Sequence, residues 1–549
     1  MLKKTGTVPF LLGPGLGLAI FPFLTVVIIL NEIVRFLLAQ LLRLVYGDKL
    51  ELVSEGADGF WGYKKNGCSR NVVTYVVTPT GCLDRDKIVN FYRESIQNYR
   101  DEKDGTRPYK KFEKVMTTSF GYVCWKRAGR FNVNEHVRVL NEEKVFSSGD
   151  LQELLTEDFS KDMDETRPQW EIVLFPRYDD GSGEEKSILL CRFLHAYMDG
   201  LSFMMLFKEH ITPDMEYTID PLSFRIPLWK KALFYLNTFI YGPFFLTTMT
   251  LERFFIKPWV LRDTDRPRKK FYTWAKSRPI SDGTIRKIRM HSNLKASVTN
   301  VLSVAFVTAA AKTLSPERLV DEMLISELVA YLPYKDSKPQ NRFAYFTFPI
   351  PTVGGDDVYK KLRNCKRESF KSMVGPDVLG TYFFFKLAGR FPAFLSPLWL
   401  THATSSVLLS NAPFSKRKVC FRDGTPILEM AGFTPQPNDM GLSVTTTRYG
   451  DEVKVFACAD STWLSQEELI SLIDQIPIEI ENMSRAIDTQ NGTVSPNVEK
   501  DSNFRRSLQE GDDSEDEIEN NEDNVHLDDN VEKRISISET ETLPVFRSR

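Results

Sequence analysis

The sequence predicts a mixed α/β body of two lobes, preceded by an apolar N-terminal helix and followed by an acidic tail. Three observations carry this. Strand-like and helix-like segments interleave between about residues 60 and 485. A hydrophobic connection, Ala232 to Leu251, divides them into two sets. Neither end of the chain has the composition of a folded core. A length of 549 residues exceeds what one simple core holds. An apolar content of 42 % with 26 % charged residues is ordinary for a folded protein. The expected organisation is 1–57 anchor and amphipathic helix, 58–225 first lobe, 226–270 hydrophobic connection, 271–486 second lobe and 487–549 disordered tail.

The N-terminus carries no charge from Thr5 to Asn31, long enough to cross a hydrocarbon core of about 30 Å. Pro14 and Pro22 interrupt its first part, so the firm helix is predicted from about Phe23. Beyond Asn31, Glu32, Arg35, Gln40 and Arg43 break up the Leu, Ile, Val and Phe residues. Such a pattern predicts a helix lying in the membrane interface. A cleaved signal peptide is the competing reading; the apolar region is long and no clear small-x-small cleavage site follows, so a retained anchor is expected. Lys3 and Lys4 on one side and Arg35, Arg43 and Lys49 on the other leave its orientation open.

The body's elements follow in order. "NVVTYVVTP" (Asn71 to Pro79) is β-branched and ends at proline, which predicts a strand. "DRDKIVNFYRESIQNY" has helical spacing at Ile88, Phe91 and Ile96. "SILLCRFL" (Ser187 to Leu194) predicts a buried strand. Gly242-Pro243 in the middle of the connection favours a hairpin dipping into a membrane, or packed on the body, over a crossing. "SVTNVLSVAFVTAAAKTL" predicts a helix rich in small residues. "LSVTTTRYGDEVKVFACAD" predicts a hairpin turning at Gly450-Asp451, and Ser465 with Glu468 a capping box opening the last helix. Acids dominate between Glu510 and Glu532, with no Lys or Arg, so the tail is expected to be disordered.

The net charge of -2 argues against a nucleic-acid binder. Seven scattered cysteines form neither a disulfide framework nor a zinc pattern, and no P-loop or metal constellation is visible. The chemistry concentrates in "LLCRFLHAYMDGLSFMMLF", Leu189 to Phe207. His195 stands just past a strand, and Asp199-Gly200 open the next helix. A histidine on so short a turn is held rigidly and can take a proton from a hydroxyl near neutral pH. The plain alternatives are a satisfied core histidine and an aspartate that only caps its helix. His136 and Arg138, and the corner at Arg167 and Trp170, read as structural, as does His402 beside an apolar run.

"FLHAYMDG" resembles the H-H-x-x-x-D-G motif of the wax ester synthase/diacylglycerol acyltransferase family, and the H-x-x-x-D of acyltransferases with the chloramphenicol acetyltransferase-like fold. Further matches follow in the family's order. They are "GRFNVNEHVR", "MDETRPQWEIVLF", "SVTNVLSVA", "LLSNAPF" and the hairpin from Asn438 to Asp460, so the resemblance spans roughly 58 to 484. It implies two lobes around a tunnel, entered by acyl-CoA from one face and by a lipid alcohol or diacylglycerol from the other. His195 would be the general base, Asp199 a support for its turn paired with an arginine, and Gly200 the tight backbone. Ser410-Asn411 would supply an oxyanion donor, and Thr299 and Asn300 belong to the substrate-binding set. Acyl-CoA is a substrate and no cofactor is implied. A membrane is implied as the place of action, with the endoplasmic reticulum and its lipid droplets first and the plasma membrane still open.

The sequence departs from the family at three places. Leu194 replaces the motif's first histidine, Thr299-Asn300 replaces an Asn-Asp pair whose carboxylate would brace the lobes, and Phe414 replaces a glycine. Those changes keep open a second reading, a non-catalytic lipid-binding or membrane-scaffolding protein on the same fold.

Overall fold

The computed structural model describes residues 7–63, 71–101, 104–157, 163–217, 272–291, 294–334, 336–352, 357–397, 407–434 and 441–493, with a few positions between. Most of the Ala232–Leu251 connection, His402 and the tail beyond 493 lie outside them.

The first helix, α1 (Thr7–Tyr46), runs unbroken through Pro14 and Pro22. Each proline removes one backbone donor without ending the helix. The polar residues of its second half differ from expectation. Asn31 and Arg35 are buried against the body rather than turned to a membrane surface. Asn31 donates to the Arg390 carbonyl (3.2 Å) and accepts from the Tyr122 hydroxyl (3.0 Å). The Arg35 guanidinium donates to the carbonyls of Val53 (2.6 Å) and Arg390 (3.1 Å), and Glu32 pairs with the Arg390 guanidinium. Thus the polar stripe clips α1 to the protein, while Phe36, Leu37, Leu41 and Leu44 stay exposed. Residues Phe21–Tyr46, which include an 18-residue window with a mean hydropathy of 2.0, are long and apolar enough to cross a membrane by length and composition.

The body starts with β1 (Leu50–Leu52) and α2 (Gly56–Trp61). Its first half continues through β2 (Val72–Pro79), α3 (Arg85–Tyr92), β3 (Lys114–Ser119), β4 (Tyr122–Arg127), β5 (Val137–Val139), α4 (Ser148–Glu157), β6 (Trp170–Tyr178), β7 (Lys186–Leu194) and α5 (Gly200–His210). The second half comprises β8 (Tyr272–Lys276), β9 (Ile280–Ser281), α6 (Asp282–Met290), α7 (Val298–Thr313), β10 (Glu322–Ala330), β11 (Phe343–Pro351), α8 (Val358–Val374) and α9 (Asp377–Ala388). It ends with β12 (Val407–Ser415), β13 (Ile427–Phe433), β14 (Leu442–Tyr449), β15 (Glu452–Asp460) and α10 (Gln466–Thr493).

These form two lobes. The first holds a five-stranded sheet in the order β13-β2-β7-β6-β5, beside a small β1-β4-β3 sheet. The second holds a seven-stranded sheet, β11-β10-β12-β14-β15-β8 with β9 on β15. Strand β13 comes from the second half of the chain yet pairs with β2, placing Gly432 opposite Tyr75. The lobes therefore share a strand across the predicted boundary, and β2, buried at every residue after Val72, is what it joins. The hairpin β14–β15 turns at Gly450 with φ of 63°, and Ser465 and Glu468 exchange hydrogen bonds as a capping box should.

A close helix crossing sets the site's far wall. A Cβ on Gly56 would sit 1.7 Å from the Lys386 carbonyl oxygen, and one on Gly59 would sit 2.2 Å from that of Gly389. Only glycine lets α2 lie this close to α9. The approach fixes Asp58 and Trp61, which α2 carries toward the lobe junction.

Candidate active site

Strand β7 ends at Leu194, and the next five residues turn sharply into α5. The turn is pinned from three sides. The His195 backbone N–H donates to the Asn71 carbonyl (2.6 Å). Tyr197, fully buried, donates its hydroxyl to the Lys114 carbonyl (2.6 Å). Asp199 caps α5 by accepting from Ser202 N (2.8 Å).

The imidazole of His195 is itself buried. The Trp61 ring stacks on it, with centroids 4.3 Å apart and planes at 10°. Its Nδ1 lies 2.9 Å from Asn341 Oδ1. The Asn341 amide cannot be reversed, because its Nδ2 donates to Asp58 Oδ1 (2.8 Å) and to the His195 carbonyl (2.9 Å). The atom facing Nδ1 is therefore an acceptor, so Nδ1 carries the proton. Nε2 keeps its lone pair and has no hydrogen bond among the described residues. Burial pushes the histidine's pKa down to about 4, and the hydrogen bonds it makes only partly oppose this. The imidazole is thus a neutral acceptor across the physiological range.

Asp199 does more than cap. Its second carboxylate oxygen accepts from the Tyr334 hydroxyl (2.6 Å) and from the Arg342 backbone N–H (2.7 Å). The aspartate ties α5 to the loop of the second lobe that also delivers Asn341. The contact with arginine is through its backbone. Gly200 has a different role from the tight backbone expected. A Cβ there would meet the Tyr75 hydroxyl at 2.6 Å, so the glycine makes room for Tyr75, which stacks on Phe203 at 4.0 Å.

His195 borders a cavity of about 120 Å³ between the lobes. Val73, Leu201, Met204 and Leu328 give it apolar walls. Ser410 and Asn411 line it as well, so the structure brings them to the same cavity as His195. Asn411 Oδ1 accepts from Thr446 Oγ1 (3.2 Å), while its Nδ2 is buried with no hydrogen-bond partner among the described residues. Phe414, fully buried, meets Tyr75 edge-on at 5.8 Å and fills the space a glycine would leave.

Thr299 and Asn300 are not on this cavity. They lie in the first turn of α7, inside the second lobe. Asn300 closes a capping box with Ser297 and donates to Ser369 Oγ on α8 (2.8 Å). It joins two helices of one lobe and does not brace the lobes against each other. An asparagine oxygen serves that cap as well as a carboxylate would. Thr299 hydrogen-bonds Glu327, a buried carboxyl on β10 whose pKa desolvation raises to about 7. Leu194 is buried at the end of β7.

Of the residues read as structural, His136 and Trp170 are so placed. His136 donates its Nδ1–H to the Trp170 carbonyl (2.7 Å), and Trp170 Nε1 donates to the Phe112 carbonyl (2.8 Å). Arg167 is half-buried beside this corner, donating to the Glu135 carbonyl and pairing with Asp164 at 3.4 Å. Asn341, Asp58 and Trp61 were not marked by the sequence reading. No local pattern sets them apart; only the folding of two distant segments, α2 and the loop before β11, onto one turn brings them to His195.

The architecture is that of the two-lobed chloramphenicol acetyltransferase-like acyltransferases. The trichothecene 15-O-acetyltransferase TRI3 from Fusarium sporotrichioides superposes with a TM-score of 0.54 at 10 % identity, over 79 % of this chain and 95 % of that one. The wax ester synthase/diacylglycerol acyltransferase from Marinobacter aquaeolei VT8 gives 0.50 at 15 % identity, over 79 % and 99 %. At such identities the likeness concerns the fold. No curated protein matches the sequence. The family models are more specific: the wax ester synthase/diacylglycerol acyltransferase catalytic domain matches residues 74–231 and the WS/DGAT C-terminal domain residues 340–482. Together these span more than half of the chain, which belongs to the wax ester synthase/diacylglycerol acyltransferase family and so to the O-acyltransferases.

Proposed function

We propose that the protein transfers a fatty acyl group from acyl-CoA to the hydroxyl of a long-chain alcohol or a diacylglycerol, forming wax ester or triacylglycerol at a membrane. The observation that carries this reading is the pairing, on one apolar cavity, of a bare imidazole nitrogen and an unpartnered amide donor. His195 Nε2 takes the proton of the acceptor hydroxyl as its oxygen attacks the thioester carbonyl. Asn411 Nδ2 donates to the oxyanion of the tetrahedral intermediate. Collapse breaks the C–S bond, and the imidazolium returns its proton to the CoA thiolate. No covalent acyl-enzyme and no cofactor is required.

The outer face of α1 supports the membrane as the place of action. It continues into two exposed aromatics, Phe120 and Phe394. Phe120 occupies a two-residue hairpin loop with φ of 52°, a position that usually takes asparagine, and its ring lies 6.4 Å from Tyr46. A bilayer gives such a tip an apolar environment that water does not. Neutral-lipid synthesis implies the endoplasmic reticulum and its lipid droplets as the compartment.

The test is an acyl-transfer assay in membranes expressing the chain, with labelled palmitoyl-CoA offered to a long-chain alcohol and to diacylglycerol in parallel. Labelled ester from either acceptor is the expected result and names the substrate class. No ester from either, with the protein folded and lipid bound, would favour a non-catalytic lipid-binding role.

A further inference from the structure

The hydrogen-bond chain behind His195 does not stop at Asn341. Asp58 on α2 is buried, with one carboxylate oxygen accepting from Asn341 Nδ2 (2.8 Å) and the other from Lys111 Nζ (2.6 Å). Lys111 also lies over the Trp125 ring, 5.4 Å from its centroid. Lys111, Asp58, Asn341 and His195 thus form one line from a partly exposed cation to the imidazole. Each comes from a different segment: the stretch before β3, helix α2, the loop before β11, and the β7–α5 turn.

A buried carboxylate is costly unless paired and hydrogen-bonded, and a simple packing role would be served by an apolar residue. The chemistry of the neighbouring amide offers a reason for the charge. An amide whose N–H donates to a carboxylate has a more electron-rich oxygen and is a stronger acceptor. In the transition state the imidazole gains a proton, and the Nδ1–H bond to Asn341 strengthens.

We propose that Asp58 and Lys111 are positioning residues for acyl transfer, holding the Asn341 amide so that His195 keeps its proton on Nδ1 and presents Nε2 to the cavity. The inference rests on the reading of His195 as the base. The pair touches neither substrate nor reacting atom and acts through Asn341. Helix α2 contributes twice, since Trp61 on the same helix stacks on the ring and favours the imidazolium that forms.

Asp58→Asn keeps the shape of the side chain and removes its charge. Its expected effect is a fall in kcat of about 10- to 100-fold, the range found when partners orienting a functional group from behind are lost. KM for acyl-CoA and for the acceptor should stay within about twofold. In an Asn341→Ala background, already slow, adding Asp58→Asn should cost less than about twofold, because the line is already cut. Full kcat in Asp58→Asn, or an undiminished further loss in the double variant, would overturn the proposal. If Asp58→Asn does not fold, Lys111→Met makes the test from the accessible end, with the same kcat loss expected and wild-type kcat overturning it. His195→Ala measured alongside separates the two readings. Activity kept in His195→Ala removes the base assignment itself, whereas activity lost there but intact in Asp58→Asn removes only the proposal.

Discussion

His195 and His136 are built alike and differ in where they stand. Each is buried, each lies flat on a tryptophan, at 4.3 Å on Trp61 and 4.2 Å on Trp170, and each has its Nδ1 committed to an oxygen. Burial holds both pKa values down. Yet His136 packs within the first lobe, its Nδ1 bonded to the carbonyl of the strand that also carries its tryptophan, and it does not line the cavity. His195 is held by a side chain from the other lobe and faces a space that a substrate can enter. Stacking, burial and a fixed tautomer therefore make a rigid histidine; only the second lobe and its cavity make a usable one.

The comparison can be broken most directly by substitution. His195→Ala should lower acyl transfer of the folded protein by about 10²- to 10⁴-fold, the loss expected of a general base. His136→Ala should cost a comparable amount of stability, about 2–4 kcal/mol, while the protein that folds keeps its kcat. Paired kinetics and thermal unfolding check both. A smaller effect sharpens the cavity's part. Asn411→Ala should reduce kcat by about 10²-fold with KM nearly unchanged, since its free amide serves only the oxyanion.

The smallest effects concern pH and stability. With its folded-state pKa near 4, His195 leaves a proton unbound that the unfolded chain takes up below about 6.5, so its contribution is present above that pH and is lost as pH falls toward 4. Glu327 acts in the opposite direction. Its pKa is raised to about 7, so its contribution is complete below the ordinary carboxylate range and lost as pH rises through 7. Glu327→Gln should therefore stabilise the protein at pH 8 by up to about 3 kcal/mol and by little at pH 5. Unfolding curves at the two pH values decide this.

Much of the fold was legible because its signals are local. The β-branched run at Val72–Pro79, the Gly450 turn and the Ser465–Glu468 box each need only a few neighbouring residues. The turn bearing His195, Asp199 and Gly200 was legible for the same reason. What could not be read depends on distant segments meeting. Strand β13 crosses to the other lobe, and Asn341 reaches His195 from 146 residues away. The partners of the polar stripe of α1 are not legible in sequence, because Asn31 and Arg35 have the same spacing whether they face lipid headgroups or the carbonyls of Val53 and Arg390. Thr299 and Asn300 show the limit of motif matching: the positions align with a family pair, and their side chains serve a helix cap and a buried carboxyl.

The claim on which the rest depends is that His195 is neutral, protonated on Nδ1 and bare on Nε2. Nitrogen NMR of protein labelled with ¹⁵N-histidine reads this directly, with six histidines to assign and His195→Ala to identify the signal. At pH 7 the spectrum should show an Nδ1–H tautomer that does not titrate until near pH 4. A signal from Nε2–H, or a titration near the ordinary 6.5, would contradict the role given to Asn341 and with it the base at the centre of the proposed reaction.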